Sequence, residues 1–186
     1  MTLRQRLLRC TRANTPELSL KDKVRPAKVL SVYDGDTVRI ALRFRGVITC
    51  FNTRCYGYDC AEMRPSRSLP EEERAEEKRK AIAARDFLRS HVLGDDVLVH
   101  CKPHGFDKYG RLLVTLFKDE RKKPGQSLNE LMVEEGHGYP YDGGNKKAAK
   151  EKAAKEQEKE AEEQDAEEQE EVQEAGTGPE VSGEPL

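Results

Sequence analysis

The sequence predicts an α+β domain that is mainly β: a five-stranded barrel of the OB type packed with helices, followed by a charged C-terminal tail that is helical or disordered. Three observations predict it. Five short runs rich in aliphatic and β-branched residues are separated by tight-turn residues, which is the pattern of short strands. One long helical pattern interrupts them after the third run, and a shorter one follows the fifth. From Lys146 to Ala175 the chain is almost only Lys, Glu, Gln and Ala, with no large apolar face. Three strands, a helix, two strands and a helix suit a small barrel covered by helices.

The elements follow in order. Residues 28–33 and 37–44 read as strands around the turn Asp34-Gly35, and Arg45-Gly46 turns the chain into a third strand over residues 47–58. Pro and Ser without periodicity make residues 63–69 a surface loop. A helix then starts: Ser68 and Glu71 have capping-box spacing, Pro70 suits a first turn, and Glu72, Glu73, Glu76 and Glu77 favour the positive helix end. Ala81, Ala84, Leu88 and Val92 share one face, and Gly94 terminates the pattern. Residues 96–102 and 111–117 are the last two strands, joined through Asp107-Lys108-Tyr109-Gly110. Residues 127–135 form a short helix with Leu128, Leu131 and Met132 facing inward. The expected organisation is a basic N-terminal arm over residues 1–22, a folded domain over 23–145 closed by Gly143-Gly144, and an acidic low-complexity tail over 146–186.

Charge is divided in the same way. Residues 146–186 hold six Lys against 14 Asp and Glu, a net of −8, which leaves +6 on residues 1–145 of a chain that totals −2. A basic body attracts polyanions. With 37% charged and 35% hydrophobic residues, the chain is too polar to be core along its whole length. Five cysteines are an odd number at low density, so they are expected as thiols. No run reaches the roughly 20 apolar residues of a membrane span. Arg4, Arg6, Arg9 and Arg12 lie in a stretch without acids and without the apolar centre of a secretory signal. An intracellular protein, cytoplasmic or nuclear, is the expectation. A mitochondrial location is the alternative, because Leu3, Leu7 and Leu8 would share one face of a basic helix.

Three clusters carry chemistry. Asp34-Gly35-Asp36-Thr37 puts two acids on a strand turn. Arg54-Cys55-Tyr56-Gly57-Tyr58-Asp59-Cys60-Ala61-Glu62 puts Arg54, Tyr56 and Tyr58 on one strand face, with two acids beyond the strand. Asp107-Lys108-Tyr109-Gly110-Arg111 is a turn with a polar rim. Each alone is explained by turn formation or an ion pair. Together, at the rim of one barrel, they gather Asp36, Asp59 and Glu62 beside Arg54 and Arg111. Acids so gathered repel unless a cation joins them, and arginines beside them are sated by the acids or await a phosphate. Acids for a hard metal and arginines for a phosphate make a phosphoryl-transfer site.

The clusters resemble the staphylococcal nuclease family. VYDGDTVRI carries its Asp-Gly-Asp-Thr, RCYGYDCAE stands where the family has Arg-x4-Asp-Thr-Pro-Glu, and DKYGR is unaltered; NELMVEEG is similar to the helix that follows. The similarity runs over residues 24–141. It implies a Ca2+-dependent nuclease acting on DNA or RNA as a monomer and leaving 3′-phosphate ends. By position, Asp36 and Asp59 match the metal-binding acids and Cys60 the residue that gives the metal a backbone carbonyl. Glu62 matches the acid that orients the attacking water, and Arg54 and Arg111 match the phosphate-binding arginines. Asp34 matches a supporting acid, and Lys108 and Tyr109 match contacts to a terminal phosphate. Cys60-Ala61 replaces Thr-Pro, which implies a weaker metal site. The shorter run after Gly136 leaves open whether Tyr139 or Tyr141 stacks on a base. The alternative function is a catalytically silent nucleic-acid-binding or scaffolding module of the same fold; such modules lose acids or arginines that are all present here. A zinc site from Cys50, Cys55, Cys60 and Cys101 with His100 or His104 lacks the usual paired spacing.

Overall fold

The computed structural model describes residues 1–20, 23–118 and 127–144, together with 148, 149, 151–153 and 155. Residues 1–138 form one compact unit and residues 139–186 another. The elements are α1 (Leu3–Leu7), β1 (Arg25–Val32), β2 (Thr37–Phe44), β3 (Val47–Cys55), β4 (Tyr58–Asp59), α2 (Glu71–Val92), β5 (Val99–Phe106), β6 (Leu112–Phe117), α3 (Leu128–Glu134) and β7 (Tyr139–Pro140). Five strands close into a barrel in the order β1-β2-β3-β6-β5, so the mainly β class and the barrel stand as expected. Each pairing is antiparallel except β3 with β6.

Period-2 alternation explains the interior. Val38, Ile40 and Leu42 of β2 point inward while Arg39 and Arg43 point out. Leu112, Val114 and Leu116 of β6 do the same. Helix α2 covers this core with Ala81, Ala84, Leu88 and Val92, the four residues its periodicity selects. Its start differs from the expectation. The first helical residue is Glu71 and the cap is Pro70, without a side-chain hydrogen bond, so Ser68 caps nothing. The hydroxyls of Ser66 and Ser68 bond each other instead, at 2.8 Å, and Glu71, Glu72 and Glu73 alone serve the positive end. At the far end Lys28 Nζ donates to the carbonyl oxygen of Gly94 and, at 2.7 Å, to that of Asp95. The arm also carries structure: Thr2 and Gln5 box the start of α1, which buries nothing, whereas Leu20 belongs to the core. Of the acidic tail, residues 148–155 are helical where described, and the rest lies outside the described residues.

Helix α3 begins with a complete capping box between Ser127 and Glu130. Leu128 and Met132 face inward, but so does Asn129, which the apolar pattern leaves out. Its side-chain oxygen accepts from the Leu116 amide at 3.0 Å. Its nitrogen donates to the carbonyls of Val114 (3.0 Å) and Tyr56 (2.8 Å). One side chain thus ties α3, β6 and the segment after β3. Asn129→Ala leaves buried backbone groups unpaired, and the expected loss is about 1–3 kcal/mol of unfolding free energy. Urea titration checks this; an unchanged midpoint contradicts it.

Candidate active site

The turn before β2 and the segment after β3 are joined at four points. The Cys55 amide donates to the Asp36 carbonyl at 2.7 Å, and the Tyr58 hydroxyl donates to the Gly35 carbonyl at 2.6 Å. A Cβ on Gly35 would stand 2.8 Å from the Ala84 Cβ and 2.9 Å from the Cys60 Sγ, so only glycine permits this approach. The fourth point is Arg54. Its Nη2 lies 2.7 Å from Asp36 Oδ2 and 2.5 Å from Asp59 Oδ1. Asp34 supports the turn by accepting the Asp36 amide at 3.2 Å, and the Thr37 hydroxyl donates to Asp36 Oδ1 at 2.8 Å.

One expectation fails locally. Arg54, Tyr56 and Tyr58 do not share a face: β3 ends at Cys55, and Gly57, at φ +91°, reverses the alternation. Tyr56 remains 43% exposed, while Tyr58 is 1% exposed and faces the core. The same reversal brings Asp59 inward to Arg54.

The electrostatics follow from one cation serving two buried acids. Burial pushes the Asp36 carboxyl up to about 8; Arg54 pulls it down, and Asp34 and a hydrogen bond with Asp59 push it further up. Burial works against the Arg54 charge, yet Asp36 and Asp59 outweigh it and hold the guanidinium above its ordinary value. The Cys60 thiol is raised by burial first and by Asp36 next.

These residues fit a divalent cation. The Arg54 nitrogen already occupies a point shared by both carboxylates, at distances close to the roughly 2.3–2.6 Å of Ca–O bonds. Among the described residues no group of three or more His, Cys, Asp or Glu side chains converges as a metal cluster. The carboxylates that converge are the two of Asp36 and Asp59, and the cysteine–histidine zinc arrangement is not formed among the described residues.

Arg111 arrives by a different route from the shared rim that the turns suggest. The turn joining β5 to β6 lies at the start of β6, yet β6 begins pairing only at Thr53, near the end of β3. This stagger sets Arg111 one strand across and two residues offset from Arg54, roughly 8 Å between Cα atoms. Asp107 fixes it: its Oδ1 accepts the amides of Tyr109 (2.9 Å) and Arg111 (2.8 Å), and its Oδ2 accepts Arg111 Nε at 2.8 Å. Burial opposes ionisation of Asp107, but these donors hold its pKa below the ordinary carboxylate value. Arg111 Cζ and Lys108 Nζ stand 5.6 and 5.1 Å from the centre of the exposed Tyr109 ring. Glu62 is exposed beyond β4, and its amide donates to Glu77 Oε1 of α2 at 3.2 Å.

Direct contact thus unites Asp36, Asp59 and Arg54, with Asp34 behind them. Arg111, Lys108 and Tyr109 form a second group, and Glu62 stands on the α2 side. Glu77 belongs to the acidic start of α2 and Asn129 opens NELMVEEG, but neither pattern marks its residue as a support. Asp107 was visible as a turn former, and its position four residues before Arg111 was the available sign of a clamp. Among the described residues no helix is long and apolar enough to cross a membrane. A family model described as staphylococcal nuclease homologue matches residues 64–167, more than half of the chain; the match holds Arg111, Lys108 and Tyr109 and begins two residues after Glu62. No curated protein matches the chain.

Proposed function

Because the chain belongs to the staphylococcal nuclease homologue family, we propose that it is a Ca2+-dependent nuclease that hydrolyses phosphodiester bonds of DNA or RNA. The observation that carries this is the pair of buried carboxylates, Asp36 and Asp59, meeting at one nitrogen of Arg54. Buried acids held together at such cost, beside a second fixed arginine, suit a site built for a divalent ion and a phosphate.

In this reading Asp36, Asp59 and the Cys60 carbonyl would hold Ca2+, which when bound would supply positive charge to the phosphate undergoing attack. Arg54 and Arg111 bond the phosphate oxygens as negative charge grows on them. Asp34 keeps the Asp36 turn in shape, and Asp107 keeps Arg111 from collapsing onto the acids. Glu62 accepts a hydrogen bond from a water and aims it in line at phosphorus. The water oxygen bonds to phosphorus as the P–O5′ bond breaks, which leaves a 3′-phosphate and a 5′-hydroxyl, the leaving oxygen taking its proton from solvent. Lys108 and Tyr109 contact a terminal phosphate beside Arg111. Arg54 is engaged by both acids; Ca2+ held by those carboxylates would take over their charge and leave the guanidinium to the substrate.

Asp36→Ala is expected to weaken Ca2+ affinity more than any other single change, by at least about 10-fold, the low end of the loss from disturbing even an outer ligand partner. Calorimetric titration with Ca2+ measures it, and unchanged affinity would remove Asp36 from the site. The deciding experiment is digestion of single-stranded DNA, duplex DNA and RNA with Ca2+, with Mg2+ and with chelator, followed by end-group analysis. Ca2+-dependent products with 3′-phosphates are expected; cutting that survives the chelator, or 5′-phosphate ends, refutes the reading. The engagement of Arg54 by both acids favours one other reading, a silent nucleic-acid-binding module, for which the same digestion yields no products.

A further inference from the structure

Tyr56 and His104 form a stacked pair on the outer face of the barrel, with ring centres 4.5 Å apart and planes 25° from parallel. None of the roles assigned above uses either residue. The pair is built rather than accidental. The Tyr56 backbone is held at both ends, its amide donating to the Val114 carbonyl at 2.8 Å and its carbonyl accepting from Asn129 at 2.8 Å. His104 lies where the β5–β6 register shifts, between Pro103 and Gly105, and its Nε2 is 2.8 Å from the Thr115 hydroxyl. Thus the Tyr56 main chain and the His104 ring are held, and the Tyr56 side chain stacks on that ring while the residue stays 43% exposed.

The surroundings identify the occupant. Tyr56 follows Arg54 by two residues, about 6.5 Å along an extended chain. Leu113 pairs with Arg54, and Lys102 pairs with Thr115, so the stack sits between a lysine and the arginine of the phosphate site. An immobilised aromatic face flanked by cations suits a planar π-system carried on an anionic backbone. We propose that Tyr56, backed by His104, is a stacking platform for one unpaired nucleobase next to the phosphate held by Arg54. This rests on the nucleic-acid reading above and adds to it a preference for single-stranded substrate, because a base in a duplex has no open face to offer.

The test is binding of a fluorescent single-stranded oligonucleotide to the full chain in excess chelator, where nothing is cut. Three proteins are compared: wild type, Tyr56→Leu and Tyr56→Phe, each shown folded by circular dichroism. An abasic oligonucleotide of equal length is the second ligand. Loss of one base–aromatic stack weakens binding by about 5- to 140-fold. That loss is expected for Tyr56→Leu, which keeps apolar bulk without a ring, and for the abasic ligand on wild type. Tyr56→Phe is expected to bind as wild type. Equal binding by Tyr56→Leu, or of the abasic ligand, overturns the platform even if the wild type proves an active nuclease. Ring-dependent binding by a wild type that cuts nothing upholds the platform and sinks the nuclease reading instead.

Discussion

Arg111→Ala is expected to lower turnover by about 10²–10³-fold, the usual consequence of losing one charged donor to a developing oxyanion in a water-poor site, while the unfolding transition is expected to stay close to that of the wild type. The reason for the separation is structural. The Arg111 guanidinium lies against Asp107 and over Tyr109, partly exposed. Asp107 keeps two backbone donors after the change, the amides of Tyr109 and Arg111, so the turn persists. Single-turnover cleavage and thermal melts, run on the same preparation, measure both halves. A folded Arg111→Ala protein that cuts at near-normal rate would end its assignment to the phosphate.

Arg54→Ala is expected to lose as much activity and, unlike Arg111→Ala, to lose stability as well. Two buried carboxylates share its Nη2, and removing one partner of a buried ion pair costs about 3–5 kcal/mol. Protonation of the acid pair offsets part of this, which places the expected cost at the lower end. Ca2+ should restore what the mutation removes, because a divalent ion between Asp36 and Asp59 neutralises the charge that Arg54 had covered. Melting temperatures with Ca2+ and with chelator therefore differ more for Arg54→Ala than for wild type. Equal Ca2+ stabilisation in the two proteins would mean that the ion and the guanidinium do not compete for the same carboxylates.

Most of the barrel is legible in the sequence because alternation fixes it: Val38, Ile40 and Leu42 admit one inward face, and α2 shows its buried stripe at helical spacing. The motifs equally mark Asp36, Asp59, Arg54 and Arg111. What the sequence does not show is how they meet. A hairpin turn suggests that residues at its tip join other tips, whereas the stagger between β3 and β6 decides where Arg111 falls, and stagger leaves no local signature. The reversal at Gly57 is equally hidden, since glycine after a strand is compatible with continuation or a bend. Ser68 shows the opposite error. Its spacing to Glu71 fits a capping box, yet Pro70 fixes the helix start two residues later. Asn129 stands in NELMVEEG, yet its tie to β6 has no local signature, because a buried amide is identified only by the backbone groups it satisfies.

The parallel seam between β3 and β6 also governs assembly. Thr53 and Leu112 become neighbours only after the intervening chain, including α2 and β5, has been brought round, whereas hairpin contacts among β1, β2 and β3 close over short loops at little entropic cost. The acids and their first arginine belong to the early, local half of the molecule, and the second arginine is delivered by the late one. For the nuclease proposed above, cleavage during refolding would accordingly be a clock for ring closure, since a chain arrested before that stitch would carry the carboxylates without the second arginine.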